Sequence, residues 1–317
     1  MIVALAGGVG GARLAVGLAA VLPPSQLAVV VNTGDDFEHH GLHVSPDLDT
    51  VMYTLAGVNN TATGWGRADE SWNFMAALGE LGGARWFNLG DRDLATHVLR
   101  SEALRSGLPL SAIMQTLAKR LGVRHALLPM SDQPVRTRVK TARGELAFQD
   151  YFVRERCRPR VQGFRFAGAR SATPAPALRK LMRSGKVRGV VICPSNPFVS
   201  VAPIFAVPVI RAWLRSRDFP VVAVSPLVGG AALKGPAAKM MRELKLEASA
   251  AGIARHYGKL VDGWVIDRAD AQLQAEIEAT GRRVRVTDTI MRNRAASSRL
   301  ARAVVGFTRQ LAQERER

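Results

Sequence analysis

The sequence predicts a doubly wound α/β fold, a mostly parallel sheet with helices on both faces, interrupted by a helical and hairpin insertion. Three observations predict it. The first thirty residues run apolar strand, glycine turn, helix and second strand, from IVALA through GGVGGAR to LAVVV, which is the opening unit of such a sheet. Two later stretches, VRGVVICPSNP and PVVAVSPLVGG, repeat the pattern of an apolar strand running straight into a polar, turn-forming loop. The chain has 317 residues, 47% of them hydrophobic, enough to cover a sheet on both faces.

The elements follow in order. Ile2 to Ala6 reads as a short buried strand, and Arg13 to Val21 as a helix stopped by Pro23-Pro24. Leu27 to Val31 is a second apolar strand. From Trp72 to Leu121 the pattern is helical, with Ser71, Asp91 and Ser111 at N-cap positions of three helices. Arg136 to Lys140 and Glu145 to Val153 alternate around Arg143-Gly144, which predicts a hairpin. SATPAPALRKL opens a further helix. The tail from Arg292 to Arg317 is a basic amphipathic helix with Leu300, Val304 and Leu311 as its packing stripe. The organisation expected is one domain with its core in about 1–56 and 186–290, an insertion over about 57–185, and a basic C-terminal helix over about 292–317. No internal repeat interrupts it.

The formal charge of +18, from 44 Lys and Arg against 26 Asp and Glu, raises the question of an anionic partner. The basic residues are scattered. No run of five or six like charges, zinc-finger spacing, RNP-like aromatic motif or basic region followed by heptads is present, which argues against nucleic acid and leaves phosphorylated small molecules as partners. Cys157 and Cys193 share no CxxC spacing, so they read as ordinary buried thiols in a reducing compartment. The stretch Ile2 to Leu22 lacks a basic leader and carries Arg13 and several glycines, so neither a signal peptide nor a membrane span is expected. A cytoplasmic protein without a membrane partner is the expectation.

In an open parallel sheet ligands sit outside the carboxyl ends of the strands, so the loops there carry the chemistry. In the first, Gly8-Val9-Gly10 satisfies half of a dinucleotide fingerprint while Arg13 replaces its final glycine, and no Gly-Lys-Ser/Thr completes a P-loop. Gly7, Gly8, Val9 and Gly10 at a helix N-terminus, with Arg13 in the first turns, fit a phosphate site; a plain tight turn is the simpler alternative. The second loop starts at Asn32 and carries Asp35, Asp36, Asp47 and Asp49. Carboxylates crowded at one sheet edge need a hard cation or a proton, and Mg²⁺ bridging to a substrate phosphate supplies one; otherwise the aspartates cap turns and helices, as Asp49 would before TVMYTL. His39, His40 and His43 share this loop, but no cysteine is near and zinc is not expected. The third loop, FNLGDRDLATH, presents Asn88 and Asp91, with Asp93 and His97 on one helix face; Asp91 reads equally as a helix cap. The fourth comprises CPSNP and SPLVGGAALKGP, bringing Ser195, Asn196, Pro197, Gly229, Gly230 and Lys234 to the same edge, where hydroxyl, amide and ammonium groups suit a nucleotide.

Taken together, GGVGGARL, VVNTGDDFEHHGLHVSPDLDTVMYTLAG, LGDRDLATH, LPMSDQPVRT, FQDYFV, SNPFVSV and SPLVGGAALKG resemble the 2-phospho-L-lactate transferases of deazaflavin coenzyme F-420 biosynthesis, over most of the chain from Leu5 to about Lys234. The resemblance implies a Rossmann-like core, a homodimer and a Mg²⁺-dependent transfer. In that reaction the ribityl 5′-hydroxyl of the deazaflavin Fo attacks the phosphorus next to a short organic acid and expels GMP from a guanosine diphosphate-linked donor. It further implies that Gly7 to Arg13 cradle donor phosphates and that Ser195, Asn196 and Lys234 meet the guanosine nucleotide. Asp49 and Asn88 would touch Fo, while Asp35, Asp36 and Asp49 are the candidate metal ligands. Attack by an alcohol on such a phosphorus needs charge neutralisation and alignment rather than a covalent nucleophile, and an aspartate such as Asp49 or Asp36 would take the hydroxyl proton. Phospholactyl, phosphoenolpyruvyl and 3-phosphoglyceryl donors all remain open. A nicotinamide-dependent oxidoreductase would explain the first glycine loop but leaves the aspartates and the SNP loop without a role.

Overall fold

The computed structural model describes residues 1–232 and 235–316. Seven parallel strands form the central sheet: β1 (Ile2–Ala6), β2 (Leu27–Val31), β3 (Ala126–Pro129), β4 (Gly189–Ile192), β5 (Val221–Val224), β6 (Gly263–Asp267) and β7 (Arg283–Thr287), in the spatial order β7-β6-β5-β4-β1-β2-β3. Every residue of β1, β2, β4, β5 and β6 is buried, because helices cover both faces; that is why these strands read as unbroken apolar runs rather than alternating ones. The edge strands β3 and β7 are partly exposed and correspondingly less apolar. The sheet is the doubly wound, Rossmann-like one expected. Its third strand falls inside the 57–185 segment read as an insertion, so that segment returns to the sheet before the hairpin begins.

Helix α1 (Gly8–Val21) and α2 (Pro46–Ala56) follow β1 and β2; α3 (Asn73–Glu80), α4 (Asp91–Arg105) and α5 (Leu110–Arg120) then lead into β3. One apolar core lies on each face of the sheet. The C-terminal helix, Arg294–Glu316, buries Leu300, Val304 and Leu311 against α1 and the sheet. The two helices approach so closely at Gly17 that an added Cβ would lie 2.2 Å from the Ser297 carbonyl oxygen.

The hairpin differs in its details. Its strands are Arg136–Thr141 and Gly144–Ala147, and a third strand, Val161–Ala167, pairs with the first. The expected second strand stops at Ala147 because the chain then winds into a short helical turn, Asp150–Arg154. Phe148 and Phe152, four apart, stack at 5.3 Å, and Tyr151 is fully buried; both contacts need helical rather than two-residue spacing.

Register sets the working edge of the molecule. Ala6 stands opposite Val31, and Leu5 stands opposite both Val30 and Ile192, so the loops after β1, β2 and β4 leave at one level. The strand order reverses between β1 and β4, which opens a crevice there.

Gly17→Ala is expected to destabilise the fold by about 1–3 kcal/mol, read as a lower urea midpoint at unchanged slope. An unchanged midpoint would mean that the C-terminal helix is not held at the spacing described.

Candidate functional site

A cleft of about 700 Å³ opens at the β1/β4 reversal, and the loops after β1, β2, β4, β5 and β7 all contribute to its wall. Its narrowest part is backbone. A Cβ on Gly10 would meet the Pro194 carbonyl oxygen at 2.2 Å, one on Gly11 the Ser195 Oγ at 2.6 Å, and one on Gly7 the Asp47 Oδ2 at 2.4 Å. The glycines leave room for the Pro194 backbone and for the Asp47 and Ser195 side chains to reach the helix end. Ser195 locks the approach, its Oγ donating to the Gly7 carbonyl at 2.8 Å and accepting from the Gly7 N–H at 3.2 Å. Its hydroxyl is therefore engaged with the glycine loop. The Gly8 N–H donates to Asp47 Oδ1 at 2.7 Å, so one of the free donors at the start of α1 is already satisfied by a carboxylate.

The four aspartates of the second loop separate into three environments. Asp35 and Asp47 line the cleft and share the Asn32 side-chain amide, whose Nδ2 lies 3.1 Å from Asp35 Oδ1 and 2.9 Å from Asp47 Oδ2. Burial raises both carboxyls, Asp35 well above the usual range with the Asp47 charge adding to it, and Asp47 up to about 6. Asp36 is not part of the lining; its Oδ2 accepts from Ser45 Oγ at 3.0 Å and contacts His43 Nε2 at 3.2 Å. Asp49 lines the cleft on the far side of the same helical turn as Asp47, held by both terminal nitrogens of the buried Arg100. Asp35, Asp36 and Asp49 are thus not gathered around one point. Adjacent residues 35 and 36 take different partners, and the charge of Asp49 is already matched by a guanidinium.

Among the described residues the one group with metal-like spacing is Asp49, Asp93 and His97, whose ligand atoms lie within 4.8 Å of one another. Its base is fixed by Tyr53, whose hydroxyl donates to Asp93 Oδ1 at 2.7 Å. Burial opposes ionisation of Asp93, but the His97 and Tyr53 contacts hold its carboxyl below the usual value.

The remaining expected residues divide. Val9, Arg13, Asn88 and Asn196 line the cleft; Arg13 also donates to the Met291 carbonyl at 3.1 Å, and Asn196 caps the turn Pro197–Val201 through Oδ1. Asn32 and Pro197 are buried behind the wall. Gly229 is also outside the lining, its N–H donating to Asp270 at 3.1 Å, and Lys234 lies outside the described residues. Asp91 is a cap, though not of its own helix. Its carboxylate accepts from the N–H groups of Asn73 and Phe74 at the start of α3, while Glu70 accepts from those of Arg92 and Asp93 at the start of α4. This exchange of carboxylates between two helix ends satisfies their free donors. The histidines 39, 40 and 43 form no metal group among the described residues; His39 packs edge-on to Trp86, and burial lowers its pKa to about 4.

Sequence reasoning did not single out Arg100 or the aromatic mouth of the cleft, where Trp65, Trp86, Phe87 and Phe152 stand. Arg100 carried no signal beyond its place on a helix face. The periodic signal at 96, 97, 100 and 101 is polar, and these four residues are all buried, a pattern that marks a helix facing a polar interior rather than solvent.

The family described as "2-phospho-L-lactate transferase CofD" matches residues 2–304. A phosphoenolpyruvate transferase of Streptomyces griseus is 44% identical over 307 residues, covering 95% of this chain and 96% of that protein. A 2-phospho-L-lactate transferase of Methanospirillum hungatei is 36% identical over 306 residues, covering 96% and 99%. The crystal structure of a UPF0052 family member from Bacillus halodurans superposes with a TM-score of 0.63 at 14% identity, covering 96% of this chain and 98% of that one, which shows a shared fold.

The raised carboxyls give a pH signature. A carboxyl raised on folding adds stability in full below the ordinary carboxylate range and loses it as pH rises through the folded value, about 6 for Asp47. A divalent cation between Asp35 and Asp47 would reverse that loss. Mg²⁺ is therefore expected to raise the Tm more at about pH 8 than at about pH 5, in thermal melts that hold ionic strength constant. An equal shift at both would mean that the ion does not act on these groups.

Proposed function

The chain belongs to the 2-phospho-L-lactate transferase CofD family of coenzyme F-420 biosynthesis, and from that premise we propose that it transfers a phosphorylated short acid from a guanosine diphosphate-linked donor to the ribityl 5′-hydroxyl of the deazaflavin Fo, releasing GMP. The observation that carries the reading is one cleft with two differently equipped sets of lining residues. One set is the glycine turn, Arg13, Asp35 and Asp47; a second is Asp49, Asn88, Asp93 and His97, with the aromatic side chains also in the wall. The first set suits a pyrophosphate and its counter-ion, the second a hydroxylated chain attached to a flat ring.

Mg²⁺ belongs to the proposal, and the residues present fit it. Asp35 and Asp47 are hard oxygen donors, buried together with one amide between them, and burial with carboxylate charge nearby raises both carboxyls, a setting that a divalent cation would relieve. When bound there, the ion would neutralise charge on the donor phosphates. The protein's own part is alignment. Arg13 and the remaining N–H groups of the first turn of α1 hold the phosphates, and the opposite wall orients the attacking hydroxyl. The new bond forms between that oxygen and the phosphorus bearing the acid. The bridging P–O bond breaks, and GMP leaves with its electrons. The hydroxyl proton passes to a carboxylate of the Pro46–Thr50 turn.

For the acid itself, phosphoenolpyruvate is favoured, because relatives of that name reach 44% identity against 36% for the 2-phospho-L-lactate transferase. The homodimer implied by the resemblance and the cytoplasmic location expected from the sequence remain part of this proposal; no single helix is long and apolar enough to cross a membrane among the described residues.

The test is an assay with Fo and each of the three guanosine diphosphate-linked donors, with and without Mg²⁺, the product identified by mass. The enolpyruvyl diester is expected as the main product, with no turnover after chelation. Asp35→Asn and Asp47→Asn are each expected to lower kcat by about 100-fold or more. Failure of every donor to yield a phosphodiester would refute the reading.

A further inference from the structure

We propose that Arg100 is a positioning residue that serves as the built-in cation of the Asp49–His97–Asp93 wall, fixing the tautomer of His97 and reserving that wall for the hydroxyl groups of a polyol rather than for a metal ion. By spacing alone the three side chains would pass for a metal site. Arg100 changes the chemistry. It is 0% exposed; its Nη1 donates to Asp49 Oδ2 at 3.0 Å and its Nη2 to Asp49 Oδ1, so each oxygen of Asp49 has committed a lone pair to a charge that does not dissociate.

The same Nη1 lies 3.4 Å from Nδ1 of His97. A guanidinium can only donate, so this contact is favourable where Nδ1 carries the lone pair and the ring proton sits on Nε2, although Nδ1 also stands 3.7 Å from Asp49 Oδ2. That Nε2 lies on a residue that is 1% exposed and lines the cleft. It has no hydrogen-bond partner, with Asp93 Oδ2 nearby at 3.4 Å. A metal ion would need a ring lone pair, and the one available is covered by Arg100. It would also sit against the guanidinium charge.

What the cleft meets instead is a donor beside an acceptor, the Nε2–H next to Asp93 Oδ2, with the remaining lone pairs of Asp49 on the Nδ1 side of the ring. An alcohol both donates and accepts, and a chain of alcohols satisfies all three groups at once. Arg100 further contacts the His43 carbonyl at 3.3 Å, tying α4 to α2 and to the Phe37–Val44 hairpin. A buried ion pair is weak support for stability in itself; holding three walls of one cleft in register gives it a function. Naming the polyol as the ribityl chain of the acceptor rests on the function proposed above, whereas the tautomer and the exclusion of metal do not.

The experiment is a long-range ¹H–¹⁵N correlation spectrum of the intact protein labelled at histidine, with His97 assigned by the signals lost in His97→Gln. A neutral ring protonated at Nε2, unmoved by excess Zn²⁺, is expected; in Arg100→Ala, Zn²⁺ should shift the same signals. A ring protonated at Nδ1, or a Zn²⁺ shift in the unmodified protein, would overturn the proposal. In the transfer assay Arg100→Met is expected to raise the acceptor KM by about 10- to 100-fold while leaving the donor KM unchanged, with Arg100→Lys in between. Equal rises in both KM values would reduce Arg100 to a structural role and overturn its positioning one. The spectrum decides the tautomer even if Arg100→Met does not fold. If the spectrum is as expected but Fo is not an acceptor, the proposed function fails and the role of Arg100 stands.

Discussion

Everything at the working edge depends on the glycine turn passing within contact of the Pro194 backbone and of the Asp47 and Ser195 side chains, at the point where the strand order reverses. Gly7, Gly10 and Gly11 leave no room for a Cβ beside Asp47, Pro194 and Ser195, and this closeness lets the loops after β1, β2 and β4 share one small cleft. A side chain at any of the three would push the β1 and β4 loops apart, and the carboxylates would no longer face the helix end. The glycine turn is thus a spacing device and, on the proposed reading, an anion cradle as well. Because Asp47 already accepts from Gly8, a phosphate arriving at α1 meets a carboxylate beside the amides, and the electrostatics of that end call for a cation along with the phosphate.

The overall charge works in the same direction at longer range. The chain carries +18, yet the cleft wall presents Asp35, Asp47, Asp49 and Asp93, with Arg13 also in the lining and Arg100 paired to Asp49. A basic surface around an acidic pocket raises the local concentration of an anionic ligand. On the proposed reading, the pocket then discriminates against an anion that arrives without its counter-ion.

Much of the fold was legible in the sequence because buried parallel strands and polar strand-end loops leave strong local signals; β1, β2, β4 and β5 stand where the apolar runs put them. The third strand was hidden because Ala126–Pro129 is short, at the sheet edge and partly exposed, and Val161–Ala167 because its pairing is non-local. At the site, the glycine turn and the cleft-lining Asn196 were readable from their position after strands, whereas Asn88, read as the end of an apolar stretch, lies between helices α3 and α4. The grouping of the aspartates was not, since which carboxylate meets which partner depends on side-chain direction over one or two residues. Asp91 shows the same limit: its position announces a cap, but only the fold reveals that it caps the neighbouring helix.

That sensitivity also explains how one short motif serves both sets of lining residues. Asp47 and Asp49 are two apart at the start of α2, and side chains at that spacing on a helix point about 200° apart. Asp47 therefore turns toward Gly8 while Asp49 turns toward Arg100 on α4. The turn between them is rigid, with Pro46 at its start and the Asp49 N–H donating to the Ser45 carbonyl at 2.9 Å. On the proposed reading, this places the phosphate-binding and hydroxyl-binding walls on opposite sides of a single helical turn. Their separation is then set by helix geometry rather than by loop motion, which is the pre-organisation an in-line transfer between two bound molecules requires.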